Sequence, residues 1–393
     1  MLRHFPLFAA FAAFAIGNNL AGEEIPAFIG KQPVPTSAPF TAKAGRIDTT
    51  LPFTASWYAD YLTRWPRDKP STDPALVQAA LGKLTIPLRI FFPSTYDEHR
   101  HYPLFIANFT EFKDSRDQAG AYVAAGNGAG YVVAGFALPE ELKVATWGDE
   151  KLRAGVCIYV ASTITRWASI DPNRIYVGGH SGGSKISTGY LSCYPADFAG
   201  VMVLGCNQLV TFDSDRSMPA ILQGRGVALF SGTGEKDPIA GPASSKAVFE
   251  QLKTFKFPYT LYADHDGAHA VVDGQNKTAF AFFSTSYADW YAKTAAASLR
   301  EGLAAAKAKR YGDALFPLMR IASFAPDSDT GKKAQAELDA IELARTDGIK
   351  AADKLVEQGK KADAKRALND LARRFQGSWY QFELVENAKA IGK

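Results

Sequence analysis

Cysteine is scarce in this chain, with only Cys157, Cys193 and Cys206 among 393 residues. So small and odd a number excludes a disulfide framework. If Cys193 closes a helix and Cys206 ends the strand after it, the two lie at opposite ends of a sheet layer, far beyond the roughly 7 Å Cα limit for a disulfide. Buried, inert thiols are expected. A large charge of either sign is also missing: the formal net charge is +4, which argues against a polyanionic partner and so against nucleic acid. The apolar stretch at 5–16 is too short for a membrane span, which takes about 20 residues. Paired-cysteine spacing is absent, and Asp264, His265 and Asp266 read most simply as loop residues, so no metal site is expected. The glycine-rich segment 124–130 lacks the strand-then-glycine layout of a dinucleotide site, and no cofactor is expected.

What is present points to an exported globular protein. The chain is 47% hydrophobic, enough for a large core, and its length suits two domains or one domain with an appendage. Residues 1–21 place Arg3 and His4 before the apolar run and small residues after it, the layout of a secretory signal peptide. Cleavage after Gly17 or Ala21 would leave a secreted or periplasmic protein with no membrane span. Residues 22–84 are rich in proline and weakly periodic, and read as an irregular extension ending in a short helix at 74–82.

From 84 onward short apolar runs alternate with helical stretches. Strands are expected at 85–92, 104–108, 131–136, 175–177, 201–204, 227–230 and 259–262, with helices at 152–167 and 243–252. Alternation of this kind implies an α/β fold, a doubly wound and mostly parallel sheet covered on both faces, with active residues beyond the carboxyl ends of its strands. Strand texture ends near Ala281. Residues 306–328 then align with 356–378 at a constant offset of 50, placing Asp313 on Asp363, Leu318 on Leu368, Ala322 on Ala372 and Ser328 on Ser378. A repeated helical hairpin is implied, loosely resembling tetratricopeptide-type repeats. It would serve either as a surface for a protein partner or as a packing appendage.

The strand at 175–177 runs into Gly179-His-Ser181-Gly-Gly183. Small residues around a serine let the backbone turn sharply and lift the hydroxyl clear of the sheet, which makes Ser181 a candidate nucleophile. Its hydroxyl needs a base, and the base needs a carboxylate to fix its tautomer. Six histidines make elimination workable. His4 leaves with the leader, His99 and His101 sit in a loop entering a strand, and His180 is expected to point away from Ser181. His269, after Gly267-Ala268, is favoured as base, with His265 in reserve. After the strand at 227–230, Asp237 is favoured as the acid and Glu235 held in reserve. Ser181, Asp237 and His269 occur in the Ser-acid-His order of the α/β-hydrolase arrangement.

Residues 85–290 resemble the α/β-hydrolase superfamily. The segment Ile170-Asp-Pro-Asn-Arg-Ile-Tyr-Val-Gly-Gly-His-Ser-Gly-Gly183 is similar to that of secreted polyhydroxybutyrate-depolymerase-like and feruloyl-esterase-like serine esterases. Tyr194-Pro-Ala-Asp-Phe-Ala-Gly200 and Phe230-Ser-Gly-Thr-Gly-Glu-Lys-Asp237 fit the same group. The resemblance implies a carboxylic ester hydrolase with a triad of Ser181, Asp237 and His269. Its oxyanion hole would combine the Gly182 amide with one from Thr110 or Glu111, although Phe109-Thr110 stands where His-Gly is usual in that family. Only 56 positions separate Ser181 from Asp237, leaving no room for a large lid, and an open site suits esters carried on polymers or polysaccharides. The rival readings are a catalytically silent scaffold on the same fold and a serine peptidase. The expected layout is a leader at 1–21, the extension at 22–84, the catalytic domain at 85–290 and helical repeats at 291–393.

Overall fold

The structure is a computed structural model; it describes residue 29, residues 34–35, 37–54, 85–108, 114–138, 150–208 and 218–391. The expected leader and the short helix at 74–82 lie outside the described residues. Eight strands form one sheet: β1 (Gly45–Pro52), β2 (Thr85–Phe92), β3 (Tyr102–Asn108), β4 (Val132–Phe136), β5 (Ile170–His180), β6 (Gly200–Leu204), β7 (Ala228–Gly232) and β8 (Tyr259–Tyr262). Their order across the sheet is β1-β2-β4-β3-β5-β6-β7-β8. The strands from β4 to β8 in that order are parallel, whereas β2 runs antiparallel to both β1 and β4. This is the α/β-hydrolase architecture, and each expected strand is found within a few residues of its expected place.

Burial explains the lengths of the apolar runs. Strands β3, β4, β6 and β7 are buried along their whole length, so both faces must be apolar and the sequence shows continuous hydrophobic runs. In β2 only Ile86, Leu88, Ile90 and Phe92 are buried, and the pattern alternates. One departure concerns β1, placed by sequence in the irregular extension. Its Leu51 is fully buried while Arg46 and Asp48 are exposed, so too few apolar residues mark it as a strand; its pairing to β2 is what makes it one. A second concerns β5, which starts at Ile170, five residues early, with a register shift against β3 between the Ile170 and Ile175 pairs.

Ten helices are described. On one face of the sheet α2 (Glu150–Trp167) and α3 (Gly182–Cys193) share a core with Leu104, Ile106, Val177 and Val203. On the other, α1 (Ser115–Gly128) and α6 (Asp273–Lys307) pack on Phe105, Tyr176, Met202 and Phe230. The glycine-rich stretch at 124–130 ends α1, where a Cβ on Gly126 would meet Val133 Cγ2 at 2.7 Å; helix-to-sheet packing accounts for it. Helices α4 (Met218–Arg225) and α5 (Pro242–Lys253) complete the sheet layer. Helix α6 runs unbroken through residue 290, so the expected boundary there falls inside a helix.

Four further helices follow: α7 (Tyr311–Phe324), α8 (Asp329–Glu357), α9 (Lys361–Arg374) and α10 (Trp379–Ala390). Their boundaries recur with the sequence period of 50. Helix α9 begins and ends 50 residues after α7, α10 begins 50 after α8, and α8 ends 50 after α6. Lys309 and Gly359, at equivalent turns, both have positive φ, 57° and 75°. A third core, separate from the two sheet cores, joins these helices through Leu318, Ile321, Leu368, Leu371 and Phe375. Leu318 is fully buried with Gly302 of α6 against it. Leu318→Ala is therefore expected to cost about 2–5 kcal/mol locally, read as faster amide hydrogen exchange in α6 and α7 with the β5–β7 amides unchanged.

Candidate active site

The sheet order reverses beside β3 and β5, and the crevice outside the carboxyl ends of such strands is where α/β sheets place ligands. Ser181 stands at that point, between the end of β5 and the start of α3. Its backbone has φ 56° and ψ −124°, a region an L-residue rarely enters. Its N–H donates to Leu204 O at 2.8 Å, and its carbonyl accepts from Ser184 N at 3.1 Å. The Ser184 hydroxyl, fully buried, donates within reach of Gly179 O and Leu204 O and accepts from Leu204 N, riveting the turn to β6. Gly179 fits because a Cβ there would lie 2.5 Å from Asn108 O. Ser181 caps α3 without using its side chain, so the hydroxyl is left for other work. The Gly182 amide, first in that helix, has no acceptor within it.

Asp237 and His269 lie on loops beyond β7 and β8, and the two loops are stitched together. His265 N donates to Thr233 O, Glu235 N to His265 O at 2.7 Å, and Lys236 N to Gly267 O at 3.0 Å; Gly234 and His265 form a parallel bridge. Across this seam His269 Nδ1 meets Asp237 Oδ2 at 2.7 Å. The Asp237 side chain is fully shielded and that of His269 15% exposed. Burial alone would raise the Asp237 pKa, but hydrogen bonds from His269, the Thr233 hydroxyl and the Ala240 and Ile239 amides overcome it and hold the carboxyl well below the usual carboxylate range. An ionised carboxylate only accepts, so Nδ1 carries a proton, which in the neutral ring leaves the lone pair on Nε2.

The reserve residues take other parts. Glu235 is exposed. His265 Nδ1 accepts the Gly267 amide at 3.0 Å, closing its own loop. Thr110 and Glu111 lie outside the described residues; β3, which precedes them, pairs its last residue, Asn108, with Gly179. None of the three cysteines is in a disulfide, and burial pushes the Cys157 and Cys206 thiols up.

His180 corrects the expectation that it points away from the site. Its ring packs on His269 with centroids 4.3 Å apart, and Gly205 backs both rings. A Cβ on Gly205 would lie 2.7 Å from His180 Nε2 and 3.2 Å from His269 Cε1. Burial, with His269 and then His265 adding to it against Asp237, pushes the His180 imidazole down to about 4. Thr233 and Asp264 were also missed: Asp264 Oδ1 accepts the Thr233 amide at 2.8 Å while the Thr233 hydroxyl donates to Asp237. A threonine four residues before the acid carried no signal of its own.

No family model matches the sequence, and no curated protein matches it. Among solved structures the chain is similar to the S-formylglutathione hydrolase FrmB of Staphylococcus aureus, at 11% identity and TM-score 0.40 over 62% of this chain and 99% of that one. It is similar also to the Bacillus cereus carboxylesterase, at 14% identity and TM-score 0.36 over 51% and 94%. The dipeptidyl peptidase 4 of Porphyromonas gingivalis is matched at 16% and 0.38 over 51% of this chain and 34% of that one.

Two predictions follow from the paired rings. Gly205 has φ +54°, so Gly205→Ala combines backbone strain with a collision against both imidazoles. It is expected to lower kcat on a chromogenic ester by on the order of 10- to 100-fold while leaving the far-ultraviolet circular dichroism intact. The folded His180 pKa lies below the unfolded value of about 6.5. Between pH 6.5 and 4 the unfolded chain binds the extra proton, so stability rises with pH across that window. The contribution of Asp237 is lost only further down, as pH falls through its depressed pKa. Thermal unfolding of His180→Gln between pH 4 and 6.5 is therefore expected to vary less with pH than that of the parent.

Proposed function

We propose that the protein is an exported serine hydrolase of carboxylic esters. The observation that carries the reading is the 2.7 Å contact between His269 Nδ1 and the shielded Asp237 carboxylate, on the edge of the sheet where Ser181 is turned outward. In the proposed reaction His269 Nε2 takes the Ser181 proton as Oγ bonds to the acyl carbon. The Gly182 amide and a backbone amide of Thr110 or Glu111 hold the oxyanion. The tetrahedral species collapses with loss of the alcohol, which leaves carrying the proton returned by His269. Water, deprotonated by the same imidazole, then attacks the acyl-enzyme and releases the acid and Ser181.

Export rests on the leader-like layout of residues 1–21. Esters attached to polymers or polysaccharides are the proposed substrates, since only 56 positions separate Ser181 from Asp237 and the described residues among them form α3, β6, α4 and β7, a span too short for a large lid. Among the described residues no helix is long and apolar enough to cross a membrane. The C-terminal helices, which loosely resemble tetratricopeptide-type hairpins, are proposed as a protein-binding surface.

A fluorophosphonate probe is expected to label Ser181, with Ser181→Ala abolishing both labelling and p-nitrophenyl ester turnover. Asp237→Asn should lower kcat by on the order of 10³- to 10⁴-fold, because the wrong imidazole tautomer is then favoured. Folded protein that no such probe labels would sink the reading, and faster turnover of aminoacyl-nitroanilides than of esters would move it to a peptidase.

A further inference from the structure

At the other end of β5 from Ser181 lies a polar cluster that the proposed reaction does not use. Arg174 on β5, Arg225 at the end of α4 and Arg320 on α7 converge on Tyr287 and Trp290 of α6. The Arg174 guanidinium lies over the Tyr287 ring at 5.8 Å and over Phe324 at 5.6 Å. Arg320 lies over the Trp290 ring at 4.5 Å, and Trp290 Nε1 donates to Gly224 O, next to Arg225.

The three arginines are compensated unequally. Arg174 donates to Asp171 at 2.9 Å and to His101 O. Arg320 reaches only neutral acceptors, the Ser298 hydroxyl at 2.9 Å and Asn173 Oδ1 at 3.3 Å, and its Nε is buried without a partner. Arg225 makes no hydrogen bond or ion pair among the described residues, and its Nε is likewise buried and unmatched. Burial, and Arg320 nearby, push the Arg225 guanidinium down to about 10, with Asp197 and Asp171 opposing.

Two hydroxyls share this condition. Tyr287, only 3% exposed, has no partner for its OH, and the charges that act on it are Asp171, Arg320, Arg174 and Arg225. Ser323, three residues along α7 from Arg320, also has a buried hydroxyl without a partner. Elsewhere this chain pairs its partly buried arginines: Arg166 and Arg345 share Glu383, and Arg345 also binds Glu342. Leaving a buried donor unmatched costs about 1–3 kcal/mol, and more when it is charged. Three guanidinium groups gather here against the carboxylates of Asp171 and Asp197, and the unmatched donors among them describe the complement of a further anion.

We propose that Arg225, Arg320 and Arg174, with the Tyr287 hydroxyl, form a binding site for a small oxyanion of the phosphate type, at the junction of the sheet and the helical tail. Planar guanidinium forks match the oxygens of such an ion, and the aromatic rings fix two of the forks in place. The site draws on β5, α4, α6 and α7, so an occupant ties the tail to the base of the sheet. It stands seven residues along β5 from Ser181, roughly 23 Å at strand rise, and is distinct from the ester site.

The test is thermal unfolding of the full chain, dialysed into chloride, as inorganic phosphate replaces chloride at constant ionic strength. A saturable rise of a few degrees is expected, since a ligand bound only by the folded state stabilises it by mass action. Stoichiometric phosphate released when undialysed protein is denatured would equally support the site. Arg225→Gln and Arg320→Gln should each weaken the response by roughly tenfold or more, with ester turnover in the absence of phosphate unchanged, and Ser181→Ala should keep it in full. Arg225→Lys, which keeps the charge without the fork, should give an intermediate value and guards against a Gln variant that does not fold. No saturable response and no released phosphate in the parent protein would overturn the proposal. So would a response undiminished in the variants, or one to acetate but not phosphate.

Discussion

The backbone at Ser181 occupies a conformation that costs an L-residue on the order of 1–3 kcal/mol and persists only where its surroundings over-determine it. The surroundings here are the centre of the sheet. Strand β5 is flanked by β3 and β6, Leu204 O receives the Ser181 amide, and the buried Ser184 hydroxyl bridges Gly179 to β6. Each support comes from a different strand or helix, so the turn cannot relax without unpairing the sheet. At the same end of the sheet the stitched loops after β7 and β8 hold the His269 imidazole against the Asp237 carboxylate.

Much of this was legible in the amino-acid order because the central strands are buried on both faces and the sequence has no choice but to make them apolar. Asp237 could be picked out as a candidate because it follows such a strand, and His269 because it comes next in the required order, after β8, a half-buried edge strand. The orientation of His180 could not, since it is decided by Gly205, a residue on the next strand's exit whose missing side chain opens the space. Strand β1 was illegible for a related reason. Its outward face is polar, with Asp48 bonded to both Arg46 and Arg89 of the neighbouring strand, and only the partner strand reveals it. The tail was read well because identical residues recur at one spacing and the helix boundaries obey it, whereas the long α6 showed no break from which its continuity could be judged.

Charge as well as apolar contact fastens the tail. Glu383 of α10 binds Arg166 of α2 and Arg345 of α8, with Tyr380 beneath both guanidinium groups. A shared carboxylate between two cations satisfies them at fixed geometry, which specifies how the helices sit on the sheet layer more sharply than apolar packing alone. The contrast with Arg225 and Arg320, which form no ion pair with a carboxylate among the described residues, is what sets the base of β5 apart.

Helix α6 begins four residues after His269 and lays Phe280, Phe283 and Tyr287 on the sheet before continuing into the helical tail. During synthesis, therefore, Ser181, Asp237 and His269 are all made before the long helix that completes one face of their sheet. Until residues beyond 290 have emerged, α1 alone covers that face, and the core around Tyr176, Met202 and Phe230 cannot close.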